Sequence, residues 1–396
     1  MNQGEEYFRK LIQLSAEEQL SASEERFRSL VEASPLGIMV FDTEGVITTI
    51  NSSMLKILGS PCPGEAADIT LPSGQPLLDP VISDRILKCI ESGESEVYEH
   101  SCTLEENSVW LQFYISPLNN GHGRVTGALA LVEEISDRKN MENELIEKDR
   151  RIQKELQLAN AIQSSLFPIN LPQVPGVTVA ATAVSANEVG GDYCDLFVTK
   201  YNKLGIAIGD VMGKGVPAAL FVALTYAFVR NYALELDEPS TLVNRVNRGL
   251  YAQLELTQQF ITFFYGIYDP ESRNIVYTNA GHNPPLVYRA ATGECEGLPV
   301  RDFIMGGMLN AQYREGLFSL FPGDVALFYT DGLKEGRNRA KEQFGMDRII
   351  NCLKENHIHD PASIQEILSY EFAEFLDGEP PYDDVTMVVI KLEIGK

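Results

Sequence analysis

Four segments of this sequence set an aspartate beside glycine or a turn at the end of an apolar run. Asp192 stands in Val189-Gly190-Gly191-Asp192-Tyr193-Cys194-Asp195, and Asp210 in Ile206-Ala207-Ile208-Gly209-Asp210-Val211-Met212-Gly213-Lys214-Gly215. Asp331 follows Leu327-Phe328-Tyr329-Thr330, and Asp383-Asp384 precedes Val385-Thr386. One Asp before Gly is a common turn former. Several at strand ends within one stretch need another account, because gathered carboxylates repel unless a cation neutralises them. The donors are hard oxygens, with no Cys or His at ligand spacing, which favours Mg²⁺ or Mn²⁺ over Zn²⁺. Two such ions would activate a water and stabilise an in-line displacement at phosphorus.

The elements that must place these acids alternate. Strands are expected over Val177–Val184, Leu204–Val211, Phe260–Tyr268, Asn274–Ala280, Leu286–Tyr288, Tyr313–Phe321, Val325–Thr330 and Val385–Glu393. Helices are expected over Val216–Leu236, Ser240–Leu256, Asp347–Glu355 and Ala362–Phe375. Antiparallel succession with paired helices suggests helices packed outside a β-sandwich. Asp195 is open between orienting waters at the site and facing solvent, and Thr386 reads as a strand residue. His282, in Gly281-His282-Asn283-Pro284, reads as a turn residue bonding backbone rather than a general acid. Cys295 to Arg301 has the spacing of cysteine phosphatases, but Pro299 interrupts the loop and Glu294 and Glu296 flank the thiol, so that chemistry is rejected.

These motifs resemble the metal-dependent PPM family of serine/threonine phosphatases, in its bacterial SpoIIE-type branch. The resemblance covers roughly residues 156–394. It rests on Ala159, Ile162-Gln163, Leu166-Phe167-Pro168, the Asp192 and Asp210 segments through Ala219, Asn279 to Pro285, Tyr329 to Gly332 and Asp383 to Thr386. It implies an α-β-β-α sandwich holding two Mn²⁺ or Mg²⁺ ions, with Asp192 and Asp210 bridging or flanking them. It also implies a carbonyl ligand at Val211 and further carboxylates at Asp331 and Asp383. Asp384 stands where a neighbouring polar residue often sits, so which of the pair binds metal is open. Asp192, Asp210, Asp331 and Asp383 would carry catalysis. No residue matches the phosphate-binding arginine of the eukaryotic branch.

Upstream, a helix over Ser23–Ala33 capped by Ser23, two strands, two helices and three strands are expected. Phe27 to Ile38, Phe41-Asp42 with Gly45 and Ile50-Asn51, and Gly127 to Lys139 resemble a PAS sensor domain, an antiparallel five-stranded sheet with helices. Its ligand is not named by the sequence; His100 and His122 read as surface residues rather than haem ligands. Residues 137–166 balance six acids with six bases and lack Gly and Pro, between two acidic stretches. Leu145, Ile152, Ala159 and Leu166 recur every seven residues, with Met141, Lys148, Glu155 and Ile162 at the matching positions, so a coiled-coil linker helix is expected. A shift in that helix is expected to bias the helix after Asp210. The organisation is therefore an N-terminal extension (1–21), a PAS domain (22–136), a linker (137–167) and a phosphatase domain (168–396), α+β overall.

The chain has 396 residues, 32 Lys+Arg against 56 Asp+Glu and a net charge of −24. That charge argues against nucleic acid and anionic membrane as partners. Six scattered cysteines fit a reduced, cytoplasmic protein. No secretory signal or uninterrupted membrane-length apolar run is seen. The family implies hydrolysis of phosphoserine or phosphothreonine on a protein, an anti-anti-sigma factor in partner-switching control, by a homodimer joined through linker and PAS domain. The alternative is a catalytically weak sensor-scaffold binding a phosphoprotein.

Overall fold

The computed structural model describes residues 19–58, 80–104, 107–168 and 170–393. Most of the expected extension over 1–21, and Cys62, lie outside these residues. The chain divides into two compact units, Met1–Arg150 and Arg151–Lys396.

The first unit opens with helix α1 (19–32). The helix is already formed at residue 19, so Ser23 is an interior residue and not its cap. Then come β1 (Gly37–Phe41), β2 (Ile47–Ile50), α2 (Ser52–Ile57), α3 (Pro80–Ser92), β3 (Glu96–Leu104), β4 (Asn107–Asn119) and β5 (Val125–Glu134). The strands form one antiparallel sheet in the order β2-β1-β5-β4-β3. Period-two burial drives it: Met39, Phe41, Leu111, Phe113, Ile115, Ala130 and Val132 meet Ile82 and Ile86 of α3 in one core. Asn51 locks the entry. Its buried side chain accepts from the Ile38 and Met54 amides at 2.8 and 3.0 Å. It also donates to the Val31 and Leu36 carbonyls at 3.0 and 2.8 Å. It thus caps α2 and ties that helix to α1 and β1.

Helix α4 (Ser136–Ser164) carries the linker and has no buried residue. It stops short of the expected end, so Leu166 lies in the turn beyond the helix and leaves the heptad seam. Lys148 and Glu155, the polar seam positions, pair along their own helix with Glu144 at 3.8 Å and Arg151 at 3.0 Å.

In the second unit, β6 (Val177–Val184), β11 (Leu286–Arg289), β12 (Glu294–Gly297), β14 (Val325–Tyr329) and β15 (Val385–Leu392) form a sheet in the order β12-β11-β14-β15-β6. A second sheet runs β13-β10-β9-β8-β7, from β7 (Asp192–Val198), β8 (Leu204–Val211), β9 (Ile261–Asp269), β10 (Asn274–Ala280) and β13 (Gly316–Ser319). All these pairings are antiparallel. Leu196, Ile206, Ile208 and Phe264 of one sheet pack on Val287, Phe328, Val388 and Ile390 of the other. Outside lie α5 (Val216–Ala233) and α6 (Pro239–Thr257) on the β7–β9 side, and α8 (Gly345–Asn356) and α9 (Pro361–Leu376) on the β14–β15 side. The result is an α-β-β-α sandwich.

The differences from expectation have causes. β7 is buried along most of its length, so its sequence lacks alternation. β12 is mostly exposed and offers no apolar signal. Cys295 is one of its strand residues, and burial pushes its thiol up, against nucleophilic use. The short α7 (Asp331–Glu335), not among the expected helices, begins at Asp331. Helix α5 is long and apolar enough, by length and composition, to cross a membrane, although Thr225, Arg230 and Asn231 interrupt its apolar run. Its Ala218, Phe221, Val222 and Val229 pack instead on the β7–β9 sheet.

Candidate active site

Strand pairing brings the first two acids together. Asp192 opens β7 and Asp210 nears the end of β8, and they are direct partners in the antiparallel register. Opposed like charges destabilise a sheet. Burial, followed by the charges of neighbouring acids, pushes Asp210 up to about 9. Burial also pushes Asp192 up to about 8, with Asp384 and Asp331 adding to it. Asp331 at the start of α7 is likewise raised, first by burial and then by Asp383.

Two threonines moderate Asp192. The Thr386 and Thr330 hydroxyls donate to its Oδ2 at 2.6 and 2.8 Å. The Thr330 oxygen also accepts from the Thr386 amide at 2.9 Å. Thr386 is thus more than a strand former, and sequence reasoning missed both hydroxyls because a β-branched residue in a strand needs no second explanation.

The adjacent acids differ. Asp384 is buried, and its two oxygens accept from the Ala186 amide at 2.7 Å and from the Gly191 amide. Asp383 is partly exposed and pairs with Lys214 at 3.3 Å. The Val211 amide donates to the Gly191 carbonyl at 3.0 Å. A Cβ on Gly191 would come within 3.0 Å of the Val211 carbonyl oxygen, so glycine keeps that oxygen open. Gly332 admits a still closer approach: a Cβ there would overlap the Asp384 carbonyl oxygen at 2.0 Å. That contact sets Asp331 beside Asp383. Oxygen donors that raise one another's affinity for positive charge, with no sulfur or imidazole among them, fit a hard divalent cation. Among the described residues no three acidic, His or Cys side chains gather tightly enough to make a closed cage.

Other candidates are placed elsewhere. Asp195 neither faces solvent nor joins the cluster. It is 0% exposed and takes a bidentate pair from Arg230 of α5, at 2.6 and 2.8 Å. His282 is buried, its Nδ1 2.9 Å from the Thr262 hydroxyl and its amide donating to Asn279 at 2.8 Å. Burial pushes it down to about 4, so it is neutral at physiological pH.

The end of α4 reaches the same region. Gln163 brackets Gly190, donating to its carbonyl at 2.6 Å and accepting from its amide at 2.9 Å. Asn160 donates to the Glu188 carbonyl. The observed link from this helix therefore runs to the segment before Asp192. A cavity of about 170 Å³ lies alongside, lined by Gln163, Phe167, Asp192, Val222 and Asp384 among others. Gln163→Ala removes two hydrogen bonds, together roughly 1–3 kcal/mol. It is expected to lower stability by that amount, read by thermal unfolding.

Residues 200–393 match the family described as Stage II sporulation protein E (SpoIIE), and residues 25–91 match a PAS domain. This chain carries a SpoIIE-type PP2C phosphatase domain and a PAS domain. The SpoIIE match contains Asp210, Asp331 and Asp383 and begins after Asp192, which the β7–β8 pairing supplies. The chain is 29% identical over 262 residues to Protein IcfG of Synechocystis sp., covering 60% of this chain and 41% of IcfG. It is 27% identical over 249 residues to the phosphoserine phosphatase RsbU of Bacillus subtilis, covering 62% of this chain and 72% of RsbU. The solved SiaA-PP2C domain of Pseudomonas aeruginosa has a similar fold, with TM-score 0.54 at 20% identity over 62% of this chain and 99% of that domain.

Proposed function

We propose that this chain is a Mn²⁺- or Mg²⁺-dependent phosphatase acting on phosphoserine or phosphothreonine of a protein, under control of its PAS domain. The observation that carries the reading is the opposition of Asp192 and Asp210 across β7 and β8, with Asp331 and Asp383 close enough to raise their neighbours. Asp192, Asp210, Asp331, Asp383 and the Val211 carbonyl would hold the ions. Asp384 is assigned to holding the Gly191 backbone, since its oxygens are engaged. Two such ions, when bound, supply the positive charge that activates water and neutralises phosphoryl oxygens. Thr330 and Thr386 fix the Asp192 carboxylate so that one oxygen is turned to their hydroxyls.

The name of RsbU, phosphoserine phosphatase, supports the reaction class. The family resemblance supports an anti-anti-sigma factor as the phosphoprotein, a cytoplasmic setting and the four-part organisation expected from sequence. Hydrolysis of a phosphoseryl peptide by the full chain, present with Mn²⁺ or Mg²⁺ and abolished by chelator, is the expected result. Full activity in excess chelator would sink the reading. The second reading, a weakly catalytic scaffold, draws on the lack of a closed three-ligand cage among the described residues. Binding of the phosphopeptide without turnover at saturating metal would favour it.

A homodimer through α4 is part of the proposal. Leu145 and Ile152 are 68% and 54% exposed on a helix that buries nothing, an apolar seam in need of a partner. Replacing both by Lys is expected to give monomers in sedimentation. Persistent dimers would place the association in the PAS or phosphatase domain.

A further inference from the structure

A phosphate monoester is a dianion, and the proposed site is a field of carboxylates. Something cationic in the chain should help the ester enter. Among the described residues two lysines come near. Lys334 bears on Asp331 but pairs with its neighbour Glu335 at 3.6 Å. Lys214 makes direct contact with the cluster. Its ammonium is 3.3 Å from Asp383 Oδ1, donates to the Tyr382 carbonyl and lies 4.0 Å from the centre of the Tyr382 ring.

Lys214 also lies four residues after Asp210, between Gly213 at φ 96° and Gly215 at φ 73°. Those backbone angles suit glycine and would strain other residues. They shape a loop that sends the lysine across to the segment bearing Asp383. The pair it makes there is weak. Both side chains are more than a third exposed, at 36% and 39%, and exposed ion pairs contribute little to stability. Asp383 Oδ1 already accepts from the Asp384 amide at 3.1 Å and so keeps a partner when the lysine leaves. A long, flexible ammonium held loosely at the rim of an acid cluster can move to an arriving phosphoryl oxygen at small cost. An ammonium–phosphate contact is charge-assisted and stronger than neutral hydrogen bonds.

We propose that Lys214 is the phosphate-gripping residue of the site, taking the position for which the sequence offers no arginine. This rests on the phosphatase reading above. The grip binds the phosphoryl group of the substrate and of the inorganic phosphate product alike. The Tyr382 ring marks where the ammonium waits in the absence of phosphate.

The test uses the full chain loaded with Mn²⁺ and inorganic phosphate as the probe, with binding measured by calorimetry. Turnover of p-nitrophenyl phosphate is measured in parallel. Lys214→Met is expected to weaken phosphate binding, and to raise KM, by roughly ten- to a hundredfold, the range for a hydrogen bond to a charged group. Lys214→Arg is expected to restore most of both. Mn²⁺ affinity should hold or rise in Lys214→Met, since the variant frees Asp383. Unchanged phosphate affinity in Lys214→Met overturns the proposal. So does a loss that vanishes at saturating Mn²⁺, which would make the lysine a support for Asp383 only. Absence of turnover in the unaltered chain would count against the phosphatase reading, while the phosphate titration still decides the role of Lys214.

Discussion

Asp210→Asn is expected to lower turnover by about a thousandfold or more while raising the melting temperature measured in chelator. The first effect follows from losing a central carboxylate of the proposed site, whose ions would each contribute several kcal/mol to transition-state stabilisation. The second follows from linkage. Asp210 is pushed up to about 9 and Asp192 to about 8, chiefly by burial and then by neighbouring acids. In the unfolded chain both titrate near the usual ~4. Between these values the folded protein holds protons that the unfolded chain has released. Stability without metal is therefore full at low pH and falls as pH rises through 4 to 9. Asparagine has no proton to lose. At pH 8 it should recover a few kcal/mol, or roughly 5–10 °C. Added Mn²⁺ should stabilise the unaltered chain most at high pH and the variant little. Turnover within tenfold of the original would remove Asp210 from the ligand set.

Arg230→Met should produce the largest loss of stability without touching the acid cluster. Asp195 is fully buried in β7, and Arg230 satisfies both its oxygens from α5 while lying 4.6 Å over the Phe197 ring. Burial already raises Asp195 even with this partner. Removing the guanidinium leaves a buried carboxylate unpaired, which costs about 3–5 kcal/mol. The double variant Asp195→Leu, Arg230→Met should recover most of that loss, because an apolar pair removes the stranded charge. Thermal unfolding of Arg230→Met, Asp195→Leu and the double variant closes the cycle. A single variant within about 1 kcal/mol of the original would mean that Asp195 finds another partner.

The acids of the site were legible because each sits where an apolar run meets glycine or a turn, and those runs are the strands that deliver them. The outer helices were legible as four segments close to their observed bounds. What the sequence hid was long-range pairing. Nothing near Asp195 announces Arg230, which arrives on another element. Nothing near Thr330 and Thr386 announces that β14 and β15 lie side by side and aim both hydroxyls at Asp192. The pair Asp383-Asp384 is ambiguous as a string. The structure gives the two acids different surroundings, because only Asp384 is met by the amides of Ala186 and Gly191.

Strand β15 has a temporal consequence. It sits between β14 and β6, and β6 has no other neighbour in its sheet. Val184 therefore waits for Val385, and Asp192 waits for Thr386, through the synthesis of nearly the whole domain. Pairing across such a span is slow, and the unpaired edge is exposed meanwhile. A nascent chain on the ribosome should thus have neither a closed sandwich nor a working site until β15 has left the exit tunnel. Chains stalled before Val385 are expected to be cleaved readily by protease within residues 177–380, and chains stalled well beyond Leu392 to resist. Enzyme birth, on this topology, is a single late event rather than a gradual one.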